Sequence, residues 1–133
     1  MGYRKEKIMK VELRKWTKEY KDELKDICNK IDRKYLSDRI PNPYKDEDAI
    51  WWLDYVEKNE GSNGVFRAIV VDGKICGTIS IEKRGDIYIK EGVLGYYLLT
   101  EYWGRGIMTQ ATEKICELAF EQLDIIKIMA TTF

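Results

Sequence analysis

The sequence predicts an α+β domain whose sheet is mostly antiparallel and flanked by helices. Three observations carry this. Apolar residues recur at helical spacing in three segments, with strand-like apolar runs between them. Two of those runs, Val65–Val71 and Lys74–Lys83, are joined by Asp72-Gly73, the favoured two-residue hairpin turn, because both positions need positive φ. A third long run passes through a glycine-punctuated turn into a helix and then a last strand. Those two strands should lie parallel or splayed, with a right-handed crossover between them.

Taken in order, Val11–Trp16 reads as a strand, and Thr17 can cap the helix that follows. Tyr20, Leu24, Ile27 and Ile31 form one apolar face of that helix, a core-packing stripe. The IPNPY run, Ile40–Tyr44, breaks regular structure. Asp46, Glu47 and Asp48 then suit a helix N-terminus, where the dipole is positive. Ala49, Trp52, Leu53 and Val56 form the buried face of this second helix. Trp51 points elsewhere, either packing locally or lining a substrate mouth. Glu60–Gly64 and Arg84-Gly85-Asp86 are turns. Ile87–Leu99 is the third long strand, with Gly92 and Gly95 as bulge points. Gly106–Leu123 is a helix with Ile107, Ala111, Ile115, Leu118 and Leu123 inward, and Ile125–Phe133 is the final strand.

With 133 residues and no linker, repeat or low-complexity tract, residues 1–133 read as one domain. Lys+Arg and Asp+Glu are both 23, so the bulk charge asks for neither nucleic acid nor an acidic membrane as partner. Cys28, Cys76 and Cys116 are widely spaced and sit in apolar segments, which fits core filling in a reduced compartment. The chain has no histidine, and no metal site is expected. The N-terminus lacks an apolar signal core and no apolar run approaches membrane-spanning length, so a soluble cytoplasmic protein is expected.

The stretch that carries chemistry is Gly95–Ala111, GYYLLTEYWGRGIMTQA. Gly104 and Gly106 flank Arg105 and let the backbone turn sharply at the start of a helix. The first helical N–H groups have no intrahelical acceptor and the dipole is positive there, which suits a phosphate or pyrophosphate. Arg105 and Thr109 add a cation and a hydroxyl at the same end. A dinucleotide fingerprint fails at its third glycine, where Thr109 stands, and no Gly-Lys-Ser/Thr loop exists. A glycine-rich turn without a ligand remains the alternative.

Gly95-Tyr96 followed by Glu101-Tyr102-Trp103-Gly104-Arg105-Gly106 resembles the coenzyme motif of the GNAT acetyltransferases. It is most similar to the branch that acetylates ribosomal-protein N-termini. Asn42-Pro43-Tyr44 with Asp48-Ala49 also resembles that branch. The resemblance implies acetyl-CoA as cosubstrate and acetyl transfer to a primary amine, either a protein N-terminus or a small molecule, by direct attack. It implies that the backbone of Leu98, Leu99 and Thr100 pairs with the pantetheine arm. Gly104, Arg105, Gly106 and the following Met108 and Thr109 would hold the pyrophosphate. The Leu98 backbone would polarise the thioester carbonyl as charge develops on it.

Three departures from the family pattern stand out. Glu101 replaces the usual Gln or Arg, and a carboxylate near phosphates is unfavourable unless it points away. Val93 stands where the branch often has an acidic residue. Glu91, two residues earlier on the same strand face, is the candidate base acting through a water, or else a solvated carboxylate at the strand edge. The family also continues past the last strand with a loop, a helix and terminal strands. The chain is therefore expected to be an incomplete GNAT domain with weak or absent catalysis. It is also expected to associate, as a homodimer, through the edge of its last strand. The alternatives are a non-catalytic CoA-binding or interaction module and an inactive fragment.

Overall fold

Among the described residues, eight helices and strands follow one another in the order that the apolar periodicity predicts. The computed structural model describes residues 10–30, 43–85 and 90–130. They comprise β1 (Val11–Lys15), α1 (Lys21–Lys30), α2 (Asp46–Asn59), β2 (Gly64–Val71), β3 (Lys74–Lys83), β4 (Glu91–Leu98), α3 (Ile107–Gln122) and β5 (Lys127–Ala130). The sheet order is β1-β2-β3-β4-β5. The first four strands pair antiparallel, and β4 pairs parallel with β5. The fold class is therefore the mixed α+β one expected.

Both faces of the sheet are covered, so β2 is buried along its whole length. On one face α3 packs Ile107, Ala111, Ile115 and Ala119 against Val65, Ile69, Ile79, Ile81, Leu94 and Leu98. On the other, α1 and α2 pack Leu24, Ile27, Ala49, Leu53 and Val56 against Phe66, Ala68 and Val70. Ile79, Ile81, Ile107 and Ile115 are at most 1% exposed, and burying each contributes about 1.5–3 kcal/mol. Asn29 ties α1 to the entry of α2, its side chain donating to the Tyr44 carbonyl at 2.9 Å and accepting from the Tyr44 N–H at 2.8 Å. Asp48 accepts from the Lys45 N–H at 2.9 Å, closing the first turn of α2.

Several local expectations need correction. Thr17 caps a short 3-10 turn, Lys18–Tyr20, without using its side chain; its carbonyl takes the Tyr20 N–H. Gly92 and Gly95 are not bulges, because β3 and β4 run in unbroken register from Gly77↔Leu98 to Lys83↔Gly92. The extra residue lies in β3. Ile69 pairs with Gly77 and Val70 with Ile75, leaving Cys76 over. Gly92 serves close approach instead, since a Cβ there would sit 2.7 Å from Ile81 Cγ2. The long strand ends at Leu98, and Leu99 leaves it. Ile31, Ile40–Asn42, Asp86–Ile89 and Thr131–Phe133, with the expectations attached to them, lie outside the described residues. None of the described helices is long and apolar enough to cross a membrane.

Candidate active site

The site lies along the end of β4. Its described ladder with β5 runs from Glu91↔Lys127 to Leu94↔Ala130, the last described residue, and β4 continues to Leu98. Backbone groups alternate in direction along a strand. The carbonyl of Lys90 accepts from Ile126 on the β5 side, whereas that of Glu91 accepts from Arg84 on the β3 side. The N–H of Leu99 likewise donates to Cys76 of β3. The even-numbered residues of β4 therefore face β5, and past Leu94 those are Tyr96 and Leu98. Their N–H groups point to the β5 side, beyond the last described residue of β5.

The backbone N–H groups of Tyr96 and Leu98 thus face the β5 side, and that of Leu99 faces β3. Leu99 donates to Cys76 and its carbonyl accepts from Tyr102, so neither of these backbone groups is left for a ligand. The Thr100 carbonyl accepts from Trp103 N–H, closing a 3-10 turn over Thr100–Tyr102. That turn swings the Trp103 indole back to donate to the Leu98 carbonyl at 2.8 Å. Tyr96 and Trp103 were missed because the sequence motif marks the turn but not which backbone groups the ladder leaves over.

The turn itself follows the sequence closely. Gly104 and Gly106 have φ of 74° and 73°, a region that side chains disfavour. A Cβ at either would meet nothing within 4 Å, so the ground above them is open. Gly106 is the N-cap of α3, and the first bond into the helix runs from Gln110 N–H to the Gly106 carbonyl. The N–H groups of Ile107, Met108 and Thr109 precede that bond and aim out of the helix end. Arg105 and Thr109 are exposed beside them. These features fit a pyrophosphate.

Glu101 turns toward the β2–β3 hairpin. It lines a shallow cavity of about 200 Å³ with Val71, Asp72, Lys74, Tyr102 and Arg105. Two cations thus share its cavity. Burial raises the Tyr102 phenol above its ordinary value, and the charges of Cys76 and Glu101 push in the same direction.

The α2 side of β4 holds the carboxylates. Glu91, Val93, Gly95 and Tyr97 share this face of β4, and Glu82, Ser80 and Thr78 on β3 are the partners of the last three. Glu91 is committed to ion pairs, at 3.1 Å to Arg84 and 3.8 Å to Lys127 of β5. It is also seven residues from Leu98, about 23 Å along an extended strand. The two expected catalytic positions therefore do not come together. Glu82 lies directly across from Val93 and accepts from the Tyr55 phenol at 3.2 Å. Tyr55 stacks on Trp51, with ring centroids 5.7 Å apart. Trp51 is 67% exposed, at the mouth of this face. Gly95 leaves the floor open, since a Cβ there would meet only Ser80 Oγ, at 3.8 Å. Trp16 is buried, its indole donating to Thr78 Oγ1 at 3.1 Å. Cys76 and Cys116 pack on the α3 side, with both thiols raised by burial, which suits core filling.

Comparisons with known proteins agree with this geometry. The family model of the acetyltransferase (GNAT) domain matches residues 10–133. A Bacillus subtilis (strain 168) protein named putative ribosomal N-acetyltransferase YdaF is 32% identical over 66 residues. The match covers 50% of this chain and 36% of that protein, so it spans about a third of the relative's length. Among solved structures, the ribosomal L7/L12 alpha-N-protein acetyltransferase RimL, in complex with coenzyme A, superposes with a TM-score of 0.74 at 18% identity. That match covers 90% of this chain and 69% of RimL. The aminoglycoside N-acetyltransferase AAC(6')-Iy, in complex with CoA, superposes with a TM-score of 0.68 at 14% identity, covering 94% and 78%. At those identities the two structures speak for the fold alone. With a Gly-Arg-Gly helix entry and a family match over residues 10–133, the chain belongs to the GNAT acetyltransferase family.

Proposed function

We propose that this chain is an N-acetyltransferase that moves an acetyl group from acetyl-CoA to a primary amine by direct attack. The observation that carries the reading is the helix entry: β4 ends at Leu98, and the chain passes through the positive-φ Gly104 and Gly106 to the open N-terminus of α3. The pantetheine arm would lie along Tyr96 and Leu98, and the pyrophosphate would sit over Gly104, Arg105, Gly106, Met108 and Thr109. The N–H of Tyr96 or Leu98 would polarise the thioester carbonyl, a contact that strengthens as the oxygen gains charge. The amine would enter across the α2 face, over Gly95. Its attack on the carbonyl carbon forms the C–N bond, and the C–S bond then breaks to release CoA as thiol. The similarity to YdaF supports a protein N-terminus as the acceptor, in the cytoplasm.

The test is thermal unfolding with and without excess acetyl-CoA. Ligand at about 100 times its dissociation constant adds about 2.7 kcal/mol. For a domain of this size that raises the midpoint by about 5 °C. A folded protein with no rise would overturn the reading. A second reading, a CoA-binding module without catalysis, is favoured by one observation: the Trp103 indole already holds the Leu98 carbonyl that pantetheine would use. It predicts the same thermal rise without release of CoA from acetyl-CoA and any amine.

A further inference from the structure

We propose that Glu82 of β3, rather than Glu91 of β4, takes the proton from the attacking amine through a water, and that Tyr55 positions its carboxylate. The inference rests on the acetyl-transfer reading above and goes beyond it by naming the base.

Three observations carry it. The first is position. Glu82 is level with Val93, so it stands two residues nearer Tyr96 than Glu91 does, on the α2 face. With the Tyr96 N–H as the donor to the thioester carbonyl, which this assignment requires, the distance from Val93 is three residues, about 10 Å along the strand, against about 17 Å from Glu91. Two hydrogen bonds through one water reach about 5–6 Å, and an attacking nitrogen sits about 3–3.5 Å from the carbonyl carbon. Together these nearly cover the distance from Glu82, and its flexible side chain supplies the rest. They fall far short of the distance from Glu91.

The second is commitment. The charge of Glu91 is taken up by Arg84 and Lys127. The hydrogen bond of Glu82 comes from a neutral phenol, which leaves the carboxylate able to accept a proton. Among the described residues, the charged groups beside it on β3, β4 and β5 are Arg84, two residues along β3, Glu91 and Lys127, and Glu91 holds both cations.

The third is support. Tyr55 is half-buried on α2 and fixed by Trp51 at 5.7 Å and Phe66 at 5.9 Å. Its phenol is thus held against Glu82 by rings rather than by solvent, and burial, with the Glu82 charge added, keeps it protonated. The proton balance is closed. The ammonium gives one proton through water to Glu82, the neutral amine forms the C–N bond, and the departing thiolate takes up the second amine proton.

The test uses the full chain with acetyl-CoA and a panel of primary amines that includes short peptides with free N-termini, following CoA release by chromatography. Glu82→Gln should lower kcat about 10²–10⁴-fold, leave the acetyl-CoA dissociation constant unchanged, and abolish the acid limb of the pH–rate profile. Glu82→Asp should recover part of kcat, which separates lost chemistry from misfolding. Tyr55→Phe should shift the acid limb with a smaller loss of kcat, which a purely structural tyrosine would not do. Glu91→Gln should keep the acid limb. A Glu82→Gln variant with the kcat and pH profile of the parent, or loss of the acid limb in Glu91→Gln, overturns this assignment and leaves the acetyl-transfer reading standing. A parent chain that binds acetyl-CoA and acetylates no amine overturns both.

Discussion

Arg67 is a charged side chain in β2, a strand that is otherwise apolar. It is 5% exposed in the middle of β2, and it donates to Glu60 Oε1 at 2.9 Å and to the Phe66 carbonyl at 2.8 Å. The same Glu60 oxygen accepts from the Phe66 N–H at 3.0 Å, so one carboxylate ties the end of α2 to the start of β2. Its other oxygen is buried with no hydrogen bond among the described residues. Breaking a buried pair from one side strands the remaining charge and costs about 3–5 kcal/mol. Arg67→Ala should therefore lose about that much in urea unfolding, a large part of a stability of about 5–15 kcal/mol. The Arg67→Ala/Glu60→Ala double variant should be less unstable than the two single losses combined, because no lone charge is left behind. Strict additivity would mean that the two residues do not act as a pair. The periodicity of the sequence says nothing of this contact, since Val65–Val71 reads as an apolar strand with one polar interruption.

At the level of elements, turns were legible and registers were not. Asp72-Gly73 announced the hairpin, and both residues do take positive φ, 52° and 77°. Gly104-Arg105-Gly106 announced the helix entry with equal clarity. A glycine within a strand is ambiguous, because a bulge and a close approach both select it. Gly92 was read as the first and proves to be the second. Glu82 could not be found along β4 at all. It reaches the site only through its pairing with Val93, a relation between strands that no local pattern encodes. The glycine turn supports a clean prediction. Gly106→Ala should cost about 1–2 kcal/mol through backbone strain alone, because nothing crowds the new methyl. It should also weaken acetyl-CoA binding at least tenfold, as the first N–H groups of α3 shift. Gly73→Ala carries the same positive-φ penalty at the hairpin and should destabilise to a similar degree while leaving the dissociation constant unchanged. Calorimetric titration of the two variants separates the cases. Equal binding in both would remove the turn from the coenzyme site.

Across the whole molecule, a sheet covered on both faces sets how the fold responds to alkali. On the α3 side, burial pushes the Cys76 thiol up to about 11 from an ordinary value of 9, and Cys116 moves the same way. On the α1 and α2 side, burial raises the phenols of Tyr44 and Tyr55. Each of these groups keeps its proton in the folded state at a pH where the unfolded chain has lost it. Stability then falls with rising pH, because the folded state binds more protons than the unfolded one. For Cys76 the contribution is complete below about pH 9 and is lost as pH rises toward 11. Each lagging group adds a slope of about 1.4 kcal/mol per pH unit within its own window. Lys25 and Lys30, raised by the hydrogen bonds they donate to Asp46 and Asp26, act in the same direction from 10.5 upward. The urea midpoint should therefore be level from about pH 7 to 9 and then drop steeply. Cys76→Ala should remove one group's share of that slope, while the tyrosines on the opposite face keep the remainder. A midpoint that stays level to pH 11 would mean that neither face of the sheet excludes water as its packing implies, and an identical slope in Cys76→Ala would take the thiol out of the account.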